Sequence, residues 1–368
     1  MKINIASPQI GKEEIKAVTE VMKSGMLAQG PKVKEFEEKF AKFIGTKFAL
    51  ATSSGTTALE VALRAAGVGP GDEVITSPFT FIASANSILY TGARPVFVDI
   101  DEETFNIDPD LIEKAITKKT KAIMPVHLYG SACNMTKIMS IARKHKLVVV
   151  EDACQSHAAE WKGQKVGSFG IGTFSLYPTK NMTTGEGGML TTNSKEIYDQ
   201  ASLIRAHGSK IKYYHDILGY NYRMTDLAGA IGIEQLKKLP KFNAARAKNA
   251  KFLNKNLGKI EGLIVPEAPK DVKHVYHQYT IRVTPDFGLS RDEVLKAITD
   301  EGIGSAVFYP LPINEQKVYQ DLNYKSDTPL ATKVSNEVIS LPVHPGLKQK
   351  DLAYIVKTFQ KLAKNVQK

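Results

Sequence analysis

Three short stretches of this 368-residue chain carry side chains whose types and spacing suit covalent chemistry. The first is Ser53-Ser54-Gly55-Thr56, set between an apolar run and a helical pattern that starts at Thr57. Free backbone N–H groups and the positive dipole end of a helix attract an anion, and a glycine lets it come close. Such a turn is ordinarily a plain helix cap. It also lacks the lysine of a P-loop and the spacing of a dinucleotide fingerprint. The second stretch is Val148-Val149-Val150-Glu151-Asp152, an apolar strand pattern ending in two carboxylates. Open α/β sheets hold ligands beyond such strand ends. Asp152 there could face a cationic ring nitrogen or simply cap the next segment. The third runs from Thr173 to Lys180 and is followed by Gly185-Glu186-Gly187-Gly188. A lysine on a turn after a strand can form a Schiff base with a carbonyl cofactor. One lysine in a lysine-rich chain is by itself a solvated side chain.

The three pieces support one another. A phosphate cradle, an aspartate for a pyridinium and a Schiff-base lysine, in this order, are what pyridoxal 5′-phosphate requires. Its anionic tail needs neutralising, its ring nitrogen needs to stay protonated, and its aldehyde needs a covalent anchor. An aromatic to stack on the ring is the fourth requirement, and Phe79 and Phe81 stand just after a strand-like run.

The elements that position these groups are legible as patterns. Short apolar runs at Phe48–Ala51, Val74–Thr76, Pro95–Val98, Ala122–Val126, Leu147–Val150, Thr173–Leu176 and Gly188–Thr191 suit strands buried on both faces. Helical patterns at Thr57–Ala66, Leu111–Ile116 and Met135–His145 alternate with them, which predicts an α/β domain with a mainly parallel sheet. Two further helices are expected at Gly11–Lys23 and Pro31–Phe43. The pattern changes near Leu239. A basic helix, a half-exposed strand at Tyr276–Val283, a serine-capped helix at Ser290–Glu301 and a last helix at Lys350–Leu362 predict a smaller α+β domain. The expected division is 1–240 for the large domain, with an N-terminal helical segment, and 241–368 for the small one.

Composition narrows the class. Hydrophobic residues make up 43% and charged residues 24%, as in a globular protein rather than a disordered one. No apolar run reaches the ~18 residues that span a membrane. The start carries no secretory pattern, and two cysteines without a CxxC pair form no disulfide framework, so a cytoplasmic protein is expected. The formal net charge of +11 favours anionic partners such as nucleic acid, a membrane surface or phosphorylated small molecules. Its one local concentration, Lys241 to Lys259, includes Arg246 and reads as a solvated helix face or an anion-attracting surface. His274 and His277, three apart in a strand, would face opposite sides and make a poor chelate, so no metal site is expected.

The segments SSGTTAL, GDEVITSPFTFIASANSI, RPVFVDID, VVVEDACQSHAA, GTFSLYPTKNMTTGEGGML and LGYNYRMTDLAGAIG resemble the DegT/DnrJ/EryC1/StrS family of sugar aminotransferases. The likeness runs from about Gly30 to Gly232, with weaker echoes at HVYHQY and LPVHP. It implies a fold-type-I, aspartate aminotransferase-like large domain plus a smaller C-terminal α+β domain. By the same resemblance Lys180 is the lysine that holds the cofactor, Asp152 the partner of the ring nitrogen and Gln155 the group beside the ring hydroxyl. Gly55, Thr56 and Ser175 match phosphate contacts, and Phe81 the stacking aromatic. Asn221 matches a phosphate contact supplied by the neighbouring subunit, which implies a homodimer with shared active sites, and Arg223 lies near it. Arg223, His207, Tyr309 and His344 are candidate substrate residues. Cys154, Ala158 and Leu176-Tyr177 depart from the family pattern in ways that touch pocket shape.

The implied activity is transfer of an amino group from glutamate or glutamine to C3 or C4 of a nucleotide-linked keto-sugar, the cofactor cycling through pyridoxamine 5′-phosphate, in amino-sugar and polysaccharide biosynthesis. Relatives with histidine at the lysine position are dehydrases, and Lys180 favours transamination. The alternatives are elimination on a nucleotide sugar with the same cofactor, a basic nucleic-acid-binding protein, or a regulator without turnover.

Overall fold

The apolar runs become seven strands of one sheet because their side chains have core on both faces. The computed structural model describes residues 2–324 and 326–366. Across the sheet the strands lie in the order Phe48–Thr52, Gly188–Thr192, Ile171–Ser175, Val148–Asp152, Thr120–Met124, Glu73–Thr76 and Arg94–Phe97. The Gly188–Thr192 strand is antiparallel to both neighbours, and the remaining pairings are parallel. This is the mixed α/β, fold-type-I architecture with a large, mainly parallel sheet. Helices pack on it through apolar stripes. Pro31–Ile44 buries Val33, Phe36, Phe40 and Ile44, and Gly55–Ala65 buries Leu59, Val61 and Leu63.

A second core forms around the three-stranded antiparallel sheet of Leu263–Ile264, Tyr279–Val283 and Val338–Leu341. The helices Arg291–Asp300, capped by Ser290, and Gln349–Val366 cover it. Every residue of Tyr279–Val283 is buried, so the expected half-exposed strand is corrected. Alternation in the sequence reflects Thr280 and Arg282, which are satisfied inside by Ser340 and by Glu337 with Glu102. Residues 274–278 lie outside the strands, so the expected opposite-face geometry of His274 and His277 does not apply. His274 stacks on Tyr276 at 4.0 Å between ring centroids.

One helix, Asp226–Leu257, joins the two cores and runs through Pro240. Proline removes a helical hydrogen bond and clashes with the preceding turn. Packing against Lys12–Ser24, Pro31–Ile44 and Gln349–Val366 holds the helix together across it. The expected basic helix after Leu239 is therefore the second half of a longer element. Its lysines 241, 248, 251 and 255 are exposed, as a solvated face requires, as is Lys259 just beyond its end, but Arg246 is only 6% exposed. Ile3 packs into the second core and bridges to Ile303. Residue 240 falls within one helix, and we propose the 1–240 and 241–368 division as one of cores rather than of separable units. Among the described residues no helix is long and apolar enough to cross a membrane.

Candidate active site

The sheet delivers its chemistry at the carboxyl ends of two neighbouring strands. Val148–Asp152 ends on Asp152, and Ile171–Ser175 leads through a tight turn to Lys180, whose N–H donates to the carbonyl of Tyr177 at 2.9 Å. The glycine-rich turn clamps this segment. Leu176 N–H donates to Gly187 at 2.8 Å, and Thr183 Oγ1 and Thr184 N–H both donate to the Leu176 carbonyl. Burial pushes the Lys180 amine below the ordinary lysine value, while Cys154 and Asp152 pull the other way. An amine poised nearer neutrality can carry a proton in either direction.

Asp152 is 4% exposed, and each of its oxygens accepts one hydrogen bond. Its Oδ2 accepts from Ser84 Oγ at 2.7 Å and its Oδ1 from Cys154 N–H at 3.1 Å. Since Ser84 spends its proton on Asp152, the 3.1 Å contact between Thr80 and Ser84 hydroxyls has Thr80 as donor. Next to it Glu151 is wholly buried. It accepts N–H bonds from Gly167, Phe169 and Gly170, each 2.8 Å, and contacts His127 Nε2 at 3.2 Å. Cys133 N–H donates to His127 Nδ1 at 3.0 Å, so His127 carries its proton on Nε2 and gives it to Glu151. The two adjacent carboxylates thus divide the work. Glu151 fixes the loop behind the sheet, and Asp152 faces the cleft.

On the far wall, Ser54 caps Gly55–Ala65 by accepting the Thr57 N–H at 3.1 Å. The first-turn N–H groups of Gly55 and Thr56 are left for a ligand. A Cβ on Gly55 would stand 2.7 Å from Ser175 Cβ, so only glycine lets the helix end and the strand end approach here. Gln155 takes the Tyr129 N–H on its Oε1 and donates to Tyr309 Oη at 3.1 Å. Phe81, 57% exposed, tilts toward Tyr309 with ring centroids 6.4 Å apart.

These groups line one cavity of about 530 Å³. Lys180, Asp152, Gln155, Gly55, Thr56, Ser175, Phe81 and Tyr309 all border it. An anion cradle, a buried carboxylate whose oxygens each accept one hydrogen bond, and an amine with no ion pair among the described residues suit a phosphorylated pyridinium aldehyde. Four expected residues lie elsewhere. Asn221 and Arg223 are exposed outside the cavity, Asn221 bridging to Ala206. His207 is exposed, and its carbonyl accepts from His215 Nδ1 at 2.7 Å. His344 is buried, its Nε2 3.1 Å from the Asn4 carbonyl. Within one chain neither histidine reaches the cleft. Phe79 is fully buried against Phe105 and Tyr129 and offers no stacking face.

The sequence reading missed Ser84, Thr179, Glu186, His277, Gln278 and Phe308, which also line the cavity, while Cys154 and Tyr177, read as touching pocket shape, do border it. Ser84 lies within GDEVITSPFTFIASANSI, and its helix, Ala83–Tyr90, has no clear apolar period. His277 lies in the HVYHQY echo.

The model of the DegT/DnrJ/EryC1/StrS aminotransferase family matches residues 8–360. The chain is 44% identical over 354 residues to the pleiotropic regulatory protein of Geobacillus stearothermophilus, covering 95% of this chain and 94% of that one. It is 40% identical over 345 residues to a UDP-N-acetyl-3-dehydro-alpha-D-glucosamine 3-aminotransferase of Acidithiobacillus ferrooxidans, covering 93% and 92%. Among solved structures, Helicobacter pylori PseC, an aminotransferase of pseudoaminic acid biosynthesis, superposes with a TM-score of 0.94 at 30% identity, covering 99% and 100%. The chain belongs to the DegT/DnrJ/EryC1/StrS family, whose members are pyridoxal-phosphate-dependent sugar aminotransferases.

Proposed function

We propose that this family member binds pyridoxal 5′-phosphate at Lys180 and moves an amino group from glutamate or glutamine to C3 or C4 of a nucleotide-linked keto-sugar. The observation that carries the reading is the meeting of Lys180 and a hydrogen-bonded Asp152 in one cavity beside the Gly55 helix end. When bound, the cofactor supplies an electron sink for charge developing at the reacting carbon. Gly55, Thr56 and Ser175 hold its phosphate, Asp152 keeps its ring nitrogen protonated, Gln155 meets its ring hydroxyl, and Phe81 covers its face. Lys180 Nζ takes and returns the proton at the donor's α-carbon. The relative that acts on a UDP-linked 3-dehydro sugar supports the acceptor class.

We further propose a homodimer. Asn221 and Arg223 lie outside their own cavity on an exposed segment, where they are free to serve a second copy. The chain's net charge of +11 suits a diphosphate-bearing acceptor.

The test is incubation of the purified protein with glutamate or glutamine and a panel of nucleotide keto-sugars, followed by mass spectrometry. The expected product has an oxo group replaced by an amine, with donor consumed in equal amount. A product that has lost water without donor consumption would assign elimination instead. The likeness to a protein named as a regulator keeps a second reading in view. A single-turnover assay separates them, since a regulator without turnover transfers no amine.

A further inference from the structure

Among the described residues His277 is the one imidazole that borders the cavity. The fold pins its backbone from two sides. Val275 N–H donates to the Gly130 carbonyl at 2.9 Å, and Gln278 N–H donates to the Tyr129 carbonyl at 3.2 Å. Arg246 Nη1 donates to the carbonyls of Tyr276 and His277 at 3.1 and 3.2 Å. A Cβ on Gly130, whose φ is +102°, would stand 2.8 Å from the backbone nitrogens of both Tyr276 and His277. Only glycine allows so close an approach in that conformation. The imidazole is therefore carried on backbone that is held in place.

The ring is 5% exposed, and its two nitrogens differ. Nδ1 is sealed off and makes no hydrogen bond. Nε2 also makes none among the described residues, but it is not sealed off, so the ring opens on its Nε2 edge where it borders the cavity. A buried N–H without an acceptor is rarer than a buried acceptor without a donor, which puts the proton of the neutral ring on Nε2. Burial first, then Lys180, Arg246 and His157, push the pKa of His277 well below the ordinary 6.5, so the ring stays neutral. No carboxylate is among the groups that act on it.

An amino donor carries an α-carboxylate on the carbon whose proton Lys180 moves. Of the charged residues that border the cavity, Asp152 and Glu186 are acidic and Lys180 is the cofactor's anchor. No further cation of this chain is among the described residues that border it. The carboxylate is then met by neutral donors of the wall or by a second copy. We propose that His277 Nε2 donates a hydrogen bond to the α-carboxylate of the amino donor, which makes it a substrate-binding residue of the donor half-reaction. The assignment rests on the transamination proposed above, and it holds for glutamate and glutamine alike because both carry that group.

The experiment compares holoenzyme of wild type, His277→Leu and His277→Gln in stopped flow, one half-reaction at a time. Glutamate is mixed with the pyridoxal form and a keto-sugar with the pyridoxamine form, and the cofactor absorbance is followed. α-Methylglutamate, which has no α-proton to lose, reports binding without turnover. In His277→Leu the Kd for glutamate and for α-methylglutamate should rise about tenfold or more, while the keto-sugar half-reaction changes about twofold or less. His277→Gln, whose amide N–H reaches the same position, should recover most of the affinity. Unchanged donor affinity in His277→Leu, an equal loss in both half-reactions, or a loss confined to the keto-sugar would each overturn the assignment. If His277→Leu does not fold, a wild-type crystal with α-methylglutamate decides alone. A carboxylate oxygen within hydrogen-bond distance of Nε2 supports the proposal, and a carboxylate held only by other residues overturns it. A wild type that takes an amine from neither glutamate nor glutamine would overturn the proposed function and this inference with it. A wild type that reacts and is indifferent to the substitution overturns this inference alone.

Discussion

Ser84 Oγ lies 2.7 Å from Asp152 Oδ2, although 68 residues separate them in the chain. The bond ties the helix after one strand to the end of another.

This relationship separates charge from position. Asp152→Asn should keep the cofactor but lose about 10²-fold or more in kcat, because a neutral amide no longer holds a ring proton in place. Ser84→Ala keeps the charge and should cost about tenfold or less, with about 1 kcal/mol of stability lost with the hydrogen bond. Steady-state kinetics and urea denaturation check both. Equal losses in the two variants would contradict the assigned roles.

Lys180→Ala should show no pyridoxyl adduct after borohydride treatment, as read by peptide mass spectrometry. Its turnover should drop by at least about 10⁴-fold, through loss of both the anchor and the proton carrier. An adduct on another lysine would refute the placement.

Gly55→Ala puts a Cβ at 2.7 Å from Ser175 Cβ and 3.1 Å from Cys154 Sγ. The helix end has to withdraw from the strand end, so cofactor affinity should fall about tenfold or more while the fold persists. Equilibrium dialysis with pyridoxal phosphate measures this, and unchanged affinity would remove the helix end from the phosphate site.

Glu151 accepts three backbone N–H bonds and a histidine proton with no solvent access. Glu151→Gln can accept on only one of its two side-chain terminal atoms and brings an NH₂ against those donors. The expected cost is about 3 kcal/mol or more in guanidinium unfolding.

His157 sets a pH dependence. Its folded pKa is about 3, below its ordinary 6.5, with burial the main cause. The unfolded chain therefore takes up a proton first as pH falls. The stability held by the neutral ring is full above 6.5 and drains as pH drops from there toward about 3. His157→Phe should flatten the slope of unfolding free energy across that window by up to one proton, about 1.4 kcal/mol per pH unit. Urea titrations at several pH values test it.

Much of the site was legible because its key residues sit in contiguous motifs at strand ends. Asp152 closes an apolar run, Lys180 follows one by a short turn, and Gly55 opens a helix just after another. In each, local periodicity and the residue after it are enough. Arg246 shows the opposite case. It stands in a basic run without acids and reads as solvated, yet the fold buries it under the Tyr276 and His277 carbonyls. The Tyr279–Val283 strand likewise alternates polar and apolar residues but has partners for its polar side chains inside. Composition cannot show who those partners are.

The order of motifs along the chain by itself determined the α/β class and put a lysine and an aspartate at strand ends as candidates to hold the cofactor, since each depends on near neighbours in sequence. Tertiary structure alone decided that Ser84 locks Asp152, that Pro240 lies within an unbroken helix, that His207 and His344 stand away from the cleft, and that Arg246 is buried with no ion pair among the described residues. Those outcomes turn on burial and on contacts between distant segments, energies that exist only once the two cores have closed around the shared helix.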